Sequence, residues 1–319
     1  MVSVLPKGAG INKRVRDIPA LVDLDERFRI MDMFDDYVQV ICMPNPPIDA
    51  FGSHANDLAR LANDGMAELV SKYPDRFPAF IAALSMGDPE AMIAEAQRAV
   101  RELGAVGVQV FANVLGKPLD RTETMPLFDL MAELDLPIWI HPARGAEMAD
   151  YKNESKSHYE IWQVLGWPYE TSTAMAHLVF SKLFDKHPNI KIITHHLGAM
   201  IPYFEGRVGL CWDELGSRTS DVDYTILLRE LKKRPLDYFH MFYGDTAVAC
   251  SAAAIKCGLA FFGVDKVLFG TDAPFDPEKG VANIRGTIDA IDKLDITAEE
   301  RRAIYEGNAK KLLKLNNLK

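Results

Sequence analysis

The sequence predicts a single α/β domain built as a parallel (β/α)8 barrel, the TIM barrel. Short apolar runs rich in Val, Ile and Phe recur along the chain, each followed by an amphipathic stretch. No G-x-G-x-x-G motif follows the first run, which disfavours the open dinucleotide-binding sheet. Four runs end in His or Asp, and functional groups of a TIM barrel lie at the carboxyl ends of its strands.

Seven apolar runs are predicted to form strands that are buried on both faces, as in a parallel sheet. These runs are residues 37–43, 77–84, 105–111, 137–141, 190–196, 239–245 and 266–272. Between them, apolar side chains recur at a period near 3.6 residues, which predicts helices. The predicted helices are 57–72, 89–103, 125–134 and 171–184. We expect residues 1–30 to be irregular and residues 297–319 to form closing helices.

Composition limits the classes of function. The chain has 319 residues, is 48% hydrophobic and 25% charged, and carries a net charge of −9. One domain over 1–319 is expected because no Gly, Ser or Pro-rich linker divides it. An acidic chain without a basic cluster argues against nucleic-acid binding, and no apolar run is long enough to span a bilayer. Four scattered cysteines and no signal peptide predict a cytoplasmic protein.

The polar residues at the strand ends are the candidate site. They are His141, the adjacent pair His195 and His196, Asp245 and Asp272. Imidazole and carboxylate groups bind divalent metals or move protons. Alternative interpretations stay open: Asp272 as a helix N-cap, and Asp245 in a surface turn. Neighbours on a strand point to opposite sides, so one of the two adjacent histidines is expected to face the helices.

Several motifs resemble the amidohydrolase-related decarboxylases and hydratases, whose members include aminocarboxymuconate-semialdehyde decarboxylase and γ-resorcylate decarboxylase. The motifs lie at 165–207, 267–275, 135–142 and 72–84, and the stretch from Arg29 to Asp32 that leads into 38–40 also looks like the family's second barrel strand and its approach. The resemblance implies a TIM barrel of the metal-dependent hydrolase type. It implies a carbon–carbon lyase, a decarboxylase of a small aromatic or muconate-type carboxylic acid. Hydrolysis or hydration at the same site, for example of a lactone, is the alternative.

The resemblance also implies roles for individual residues. His141, Asp272 and His196 are implied as metal ligands, with Asp272 and His196 also serving in proton transfer. Arg207 matches an arginine that binds a substrate carboxylate from the neighbouring subunit, and Arg144 is a second candidate for that task. The implied cofactor is a divalent metal, zinc or alternatively manganese. The implied partners are a small-molecule carboxylate and a second copy of the chain, in a homodimer or larger assembly.

One departure from the family pattern concerns the first strand. Family members begin with an apolar strand that ends in His-x-His or Glu-x-His, and residues 1–21 contain no such motif. The sequence therefore predicts a barrel without its first strand. Three explanations stay open: a start codon placed too far downstream, a truncated barrel with little or no activity, and a site with a reduced ligand set.

Overall fold

A computed structural model describes residues 17–315, and its central feature is an arc of parallel strands. The strands are β1 (Val40–Ile41), β2 (Ala79–Phe80), β3 (Ala82–Ala83), β4 (Val108–Phe111), β5 (Asn113–Val114), β6 (Lys117–Pro118), β7 (Ile138–His141), β8 (Ile192–Thr194), β9 (Tyr243–Asp245) and β10 (Val267–Leu268). The order β3-β4-β7-β8-β9-β10 forms one parallel sheet, and β1 pairs with β2 in parallel. Strands β5 and β6 form a separate antiparallel pair outside the arc. Only Ile81 separates β2 from β3, and its N–H donates to Ile41 O at 2.9 Å. The described strands thus occupy seven barrel positions in chain order, and each predicted run contains one.

Helices follow the strands and cover the arc. They are α1 (Leu24–Met31), α2 (Ala55–Lys72), α3 (Pro89–Arg101), α4 (Met125–Leu134), α5 (Ile161–Val164), α6 (Gly166–Phe180), α7 (Leu183–Lys186), α8 (Glu205–Asp213), α9 (Thr225–Glu230), α10 (Pro235–Phe239), α11 (Ala252–Phe262), α12 (Val281–Asp292), α13 (Ala298–Arg302) and α14 (Asn308–Leu312), with a π-helical turn at Ala303–Gly307. The four predicted helices are confirmed, but 171–184 is divided between α6 and α7 because Lys182 has a left-handed φ of 63°. Across residues 17–315, every helix is too short or too polar to cross a membrane.

The segment predicted to be irregular, 1–30, contains helix α1. The Asp23 side chain caps this helix by accepting hydrogen bonds from two backbone N–H groups of its first turn, at 2.9 and 3.3 Å. Two acidic residues in the same turn lie at the positive end of the helix dipole, where their negative charge stabilises the helix. The prediction is therefore wrong for residues 24–30, and residues 1–16 lie outside the described part of the chain.

One level of the barrel interior is filled by side chains from neighbouring strands. Residues two apart on a strand face the same side, and the register pairs Ile193 with Trp139 on one neighbour and Tyr243 on the other. The cluster joins Val40, Ile81, Trp139, Ile193, Tyr243, Leu268, Leu312 and Leu313. On four of these strands, the residue two positions further along faces the same side of the strand. It therefore points to the interior at the carboxyl end, and in each case it is polar. These side chains are Cys42, His141, His195 and Asp245.

A buried asparagine completes the hydrogen bonding of β3. Asn63 on α2 accepts from Ala83 N at 2.8 Å and donates to Ala83 O at 3.0 Å and to Glu95 Oε1 at 2.7 Å.

We expect Asn63→Leu to lower the free energy of unfolding by about 2–4 kcal/mol, because buried backbone groups lose their partners. Urea denaturation measures this. Asn56→Leu, on the same helix but with one exposed hydrogen bond to Asp88, should change stability by less than about 0.5 kcal/mol. Equal losses in both variants would contradict the prediction.

Candidate active site

The carboxyl end of β7 places His141 at the centre of a group of rings. The ring centroids of Phe111 and Trp167 lie 5.6 and 5.4 Å from that of His141. The centroids of His195 and His196 lie at 5.1 and 5.8 Å. Three imidazoles therefore meet at one end of the barrel, and two larger aromatic rings flank them.

Backbone contacts favour one tautomer of His141. Its Nδ1 lies 2.8 Å from Pro142 O, and an N–H donating to that carbonyl leaves the Nε2 lone pair free. The side-chain amide of Asn45 is also near, at 3.1 Å from Nδ1. With its oxygen turned towards the ring, this amide accepts from the same N–H group. The His141 ring is thus oriented to present Nε2 to a ligand.

A second histidine is held by a carboxylate on the next strand. Asp245, which is 5% exposed, lies with Oδ2 2.9 Å from His195 Nδ1. Its Oδ1 accepts from the backbone N–H groups of His196 and Ala247 at 2.9 and 3.1 Å. Burial alone would raise the pKa of Asp245, but the adjacent imidazole and these hydrogen bonds lower it on balance. Asp245 is therefore buried and paired, and its interpretation as a surface-turn residue is wrong.

Both adjacent histidines lie on the site side of the barrel. Strand β8 ends at Thr194, and His196 and Leu197 have left-handed φ values of 58° and 54°. Strand alternation stops where the extended backbone stops. The expectation that one of the pair faces the helix layer is therefore wrong, because the rings of His195 and His196 both lie within 6 Å of that of His141.

Asp272 follows β10 and has a left-handed φ of 56°. Its carbonyl accepts from Phe275 N at 3.0 Å, which closes a turn. The next helix, α12, has Gly280 at its N-cap, so the helix-cap interpretation of Asp272 is wrong. Burial lowers the pKa of His196, and the negative charge of Asp272 opposes this shift. Asp272 and His196 therefore interact electrostatically at this end of the barrel.

The two candidate arginines differ in environment. Arg144 and Glu170 form an ion pair at 3.0 Å, with side chains 15% and 13% exposed, and the Arg144 Nε atom is buried without a hydrogen-bond partner. Trp167 Nε1 donates to the Arg144 carbonyl at 3.1 Å, which ties this residue to the ring beside His141. Arg207 lies exposed on α8, and its side chain makes no hydrogen bond or ion pair within residues 17–315.

The predicted metal ligands are only partly brought together. His141 and His196 are ring neighbours, and the charge of Asp272 acts on His196. Within residues 17–315, however, no three His, Cys, Asp or Glu side chains converge closely enough to hold an ion by themselves. The ligand set and the residue roles therefore stay predictions.

Sequence analysis named His195 as a candidate without a role separate from that of His196. It did not connect Asn45 or Trp167 with His141. The alternation of side chains along a strand could have predicted the position of His195. Ile193 and His195 face the same side of their strand, just as Tyr243 and Asp245 do on the neighbouring strand. Nothing in the local sequence signals the contacts of Asn45 and Trp167 with His141, since both depend on loop conformation.

Acid is expected to destabilise the metal-free protein through the buried histidines. Burial lowers the pKa of His141 well below 6.5, and the pKa of His196 is lowered as well. Above pH about 6.5 each ring is neutral in the folded and unfolded states. Below it the unfolded chain takes up protons that the folded chain does not, so stability falls. The slope should reach about 1.4 kcal/mol per pH unit for each histidine.

Urea denaturation between pH 7.5 and 5.5 measures this slope. His141→Gln should flatten it, because one of the buried imidazoles is removed. The control His54→Gln removes an exposed imidazole and should leave the slope unchanged. A His141→Gln variant that keeps the full slope would show that this ring does not cause it.

Comparisons with known proteins agree with this arrangement. Residues 43–315 match the sequence profile of the amidohydrolase family. The chain is 32% identical over 306 residues to γ-resorcylate decarboxylase from Polaromonas sp., covering 93% of this chain and 89% of that one. It is 31% identical over 297 residues to 2-amino-3-carboxymuconate-6-semialdehyde decarboxylase from Dictyostelium discoideum, covering 92% and 77%.

A solved structure gives the same result. Dihydroxybenzoic acid decarboxylase from Polaromonas sp., with bound manganese and the inhibitor 2-nitroresorcinol, superposes with a TM-score of 0.76 at 28% identity. The superposition covers 99% of this chain and 92% of that one, so the TIM-barrel-like α/β fold extends over the whole match. This chain belongs to the amidohydrolase family.

Proposed function

We propose that this chain is a metal-dependent decarboxylase of small aromatic carboxylic acids. The observation that carries the proposal is the group of three imidazoles at the carboxyl ends of the strands, flanked by Phe111 and Trp167. Aromatic walls suit a flat aromatic substrate, and imidazoles suit metal binding and proton transfer. The activities of the Polaromonas and Dictyostelium relatives support the same reaction class.

The donor set fits a divalent ion in its chemistry. His141 Nε2 is left free by the Nδ1 contact with Pro142, and we propose Asp272 and His196 as its fellow ligands. Because these side chains do not converge fully within residues 17–315, substrate or water oxygens would complete the set. A bound divalent ion would supply Lewis-acid polarisation of the substrate carboxylate. We propose zinc or manganese, and the manganese-bound Polaromonas structure supports the second.

The residues of the chain would then carry out the remaining tasks. As the bond between the ring and the carboxylate breaks, CO2 leaves and the electron pair remains on the ring carbon. We propose that Asp272 or His196 delivers a proton to that carbon. Arg144, held by Glu170, would orient the acidic substrate through its guanidinium group.

We further propose that residues 17–315 form a barrel without its first strand. Among residues 17–315, β1 pairs on one side with β2, and β10 pairs on one side with β9. A strand between β1 and β10 would close the barrel, and the described strands leave that place open.

A homodimer and a cytoplasmic location complete the proposal. Exposed apolar side chains flank Arg207 on and before α8, with Tyr203 80% and Leu210 72% exposed. A second copy that covers them would bring Arg207 towards a neighbouring site. The four cysteines, all of them free, support a reducing compartment. Size-exclusion chromatography with light scattering tests the dimer, and Leu210→Glu should yield monomers.

The test of the function is release of CO2 from 2,6-dihydroxybenzoate by chain reconstituted with manganese or with zinc. We expect CO2 and resorcinol in equal amounts, and no CO2 after treatment with a chelator. Hydrolysis of an aromatic lactone without CO2 release would favour the alternative hydrolase activity. Inactivity on aromatic acids and lactones with either metal would contradict both.

A further inference from the structure

The strongest unused feature of the site is one atom of His195. The Nε2 atom of this ring is buried and has no hydrogen-bond partner within the described residues. A buried polar atom without a partner costs free energy, and native structures rarely retain one without a reason. The opposite nitrogen of the ring, Nδ1, is already paired with Asp245.

The contact with Asp245 determines what Nε2 can bind. The carboxylate of Asp245 is a hydrogen-bond acceptor. The nitrogen of His195 that faces it, Nδ1, therefore carries a proton and donates it across 2.9 Å. Two backbone N–H groups hold Asp245 in place, which fixes the direction of the ring. In the neutral ring the other nitrogen, Nε2, then carries a lone pair and accepts a hydrogen bond. A substrate carboxylate or ether oxygen offers no proton to it, whereas a hydroxyl group does.

The ring lies where a substrate would be held. His195 lies two residues after Ile193 and therefore faces the barrel interior, as Ile193 does. The ring centroid of His195 is 5.1 Å from that of His141.

We propose that His195 is a specificity-determining residue, which accepts through Nε2 a hydrogen bond from a hydroxyl group beside the carboxylate of the substrate. This inference rests on the proposed decarboxylation of aromatic acids. The hydroxyl lies beside the carboxylate because His195 neighbours His141, the proposed metal ligand. Acids with a free adjacent hydroxyl would be selected over acids that lack it.

Calorimetric titration of the full metal-loaded chain with salicylate and with benzoate tests the proposal. Salicylate has the adjacent hydroxyl and benzoate does not. We expect His195→Asn to weaken salicylate binding about five- to tenfold while benzoate affinity stays unchanged, since one neutral hydrogen bond is lost. Asn reaches only to the Nδ1 position and can keep the Asp245 contact. His195→Gln, which places an acceptor near the Nε2 position, should restore part of the preference for salicylate.

Two further measurements make the result decisive. Nitrogen-15 NMR of the metal-free chain should show His195 protonated at Nδ1 and unprotonated at Nε2, and the opposite tautomer would overturn the proposal. Metal content of His195→Asn should equal that of the unchanged chain, because a loss would make His195 a metal ligand instead. Equal weakening of both acids would also overturn it. An unchanged chain that binds neither acid would count against the proposed function, and the tautomer would still decide the acceptor role.

Discussion

Asp272→Asn is expected to lower kcat for decarboxylation by about 10³-fold or more. Asn is nearly the same size and tolerates the left-handed φ of 56° at this position, so the fold should be retained. The change removes the negative charge that acts on His196 and the proposed group for proton delivery. General acid catalysis alone contributes about 10²–10⁴-fold, and a weakened metal site adds to the loss.

Initial rates of CO2 release, metal content and circular dichroism together check this prediction. Asp289→Asn is the matched control, because it removes an exposed carboxylate on α12 and should leave kcat unchanged. If Asp272→Asn keeps more than about a tenth of the activity at full metal content, Asp272 is not the residue that delivers the proton.

Phe242→Ala is expected to lower the free energy of unfolding by about 3–5 kcal/mol, because truncation of a buried aromatic side chain loses its transfer free energy and leaves a cavity. Phe242 is fully buried immediately before β9, and its ring centroid lies 4.8 Å from that of Phe184 and 6.4 Å from that of Phe239. Since β9 carries Asp245, the cavity should also loosen the support of His195.

Urea denaturation at pH 7.5 measures the effect. Tyr151→Ala removes an aromatic side chain that is 73% exposed and should change stability by less than about 0.5 kcal/mol. A loss below about 1 kcal/mol for Phe242→Ala would indicate that the core around β9 collapses into the cavity, contrary to the packing described above.

The sequence by itself determined the alternation of strands and helices. Each of the seven apolar runs contains a strand, and α4 has the predicted bounds 125–134, because short buried strands and amphipathic helices have distinct local patterns. It also placed His141 at the end of a barrel strand, whereas Asp272 lies in the loop that follows β10. Helix α1 was not predicted, although its N-cap at Asp23 and the acidic residues of its first turn are local signals in the sequence.

Only the tertiary structure decided which side chains meet. The backbone turns left-handed immediately after His195, so His196 no longer obeys strand alternation, and both rings reach His141. The pairing of His195 with Asp245 joins residues 50 positions apart, on neighbouring strands. Sequence spacing does not encode such contacts, because they depend on sheet register and on loop conformation that form only when the barrel packs.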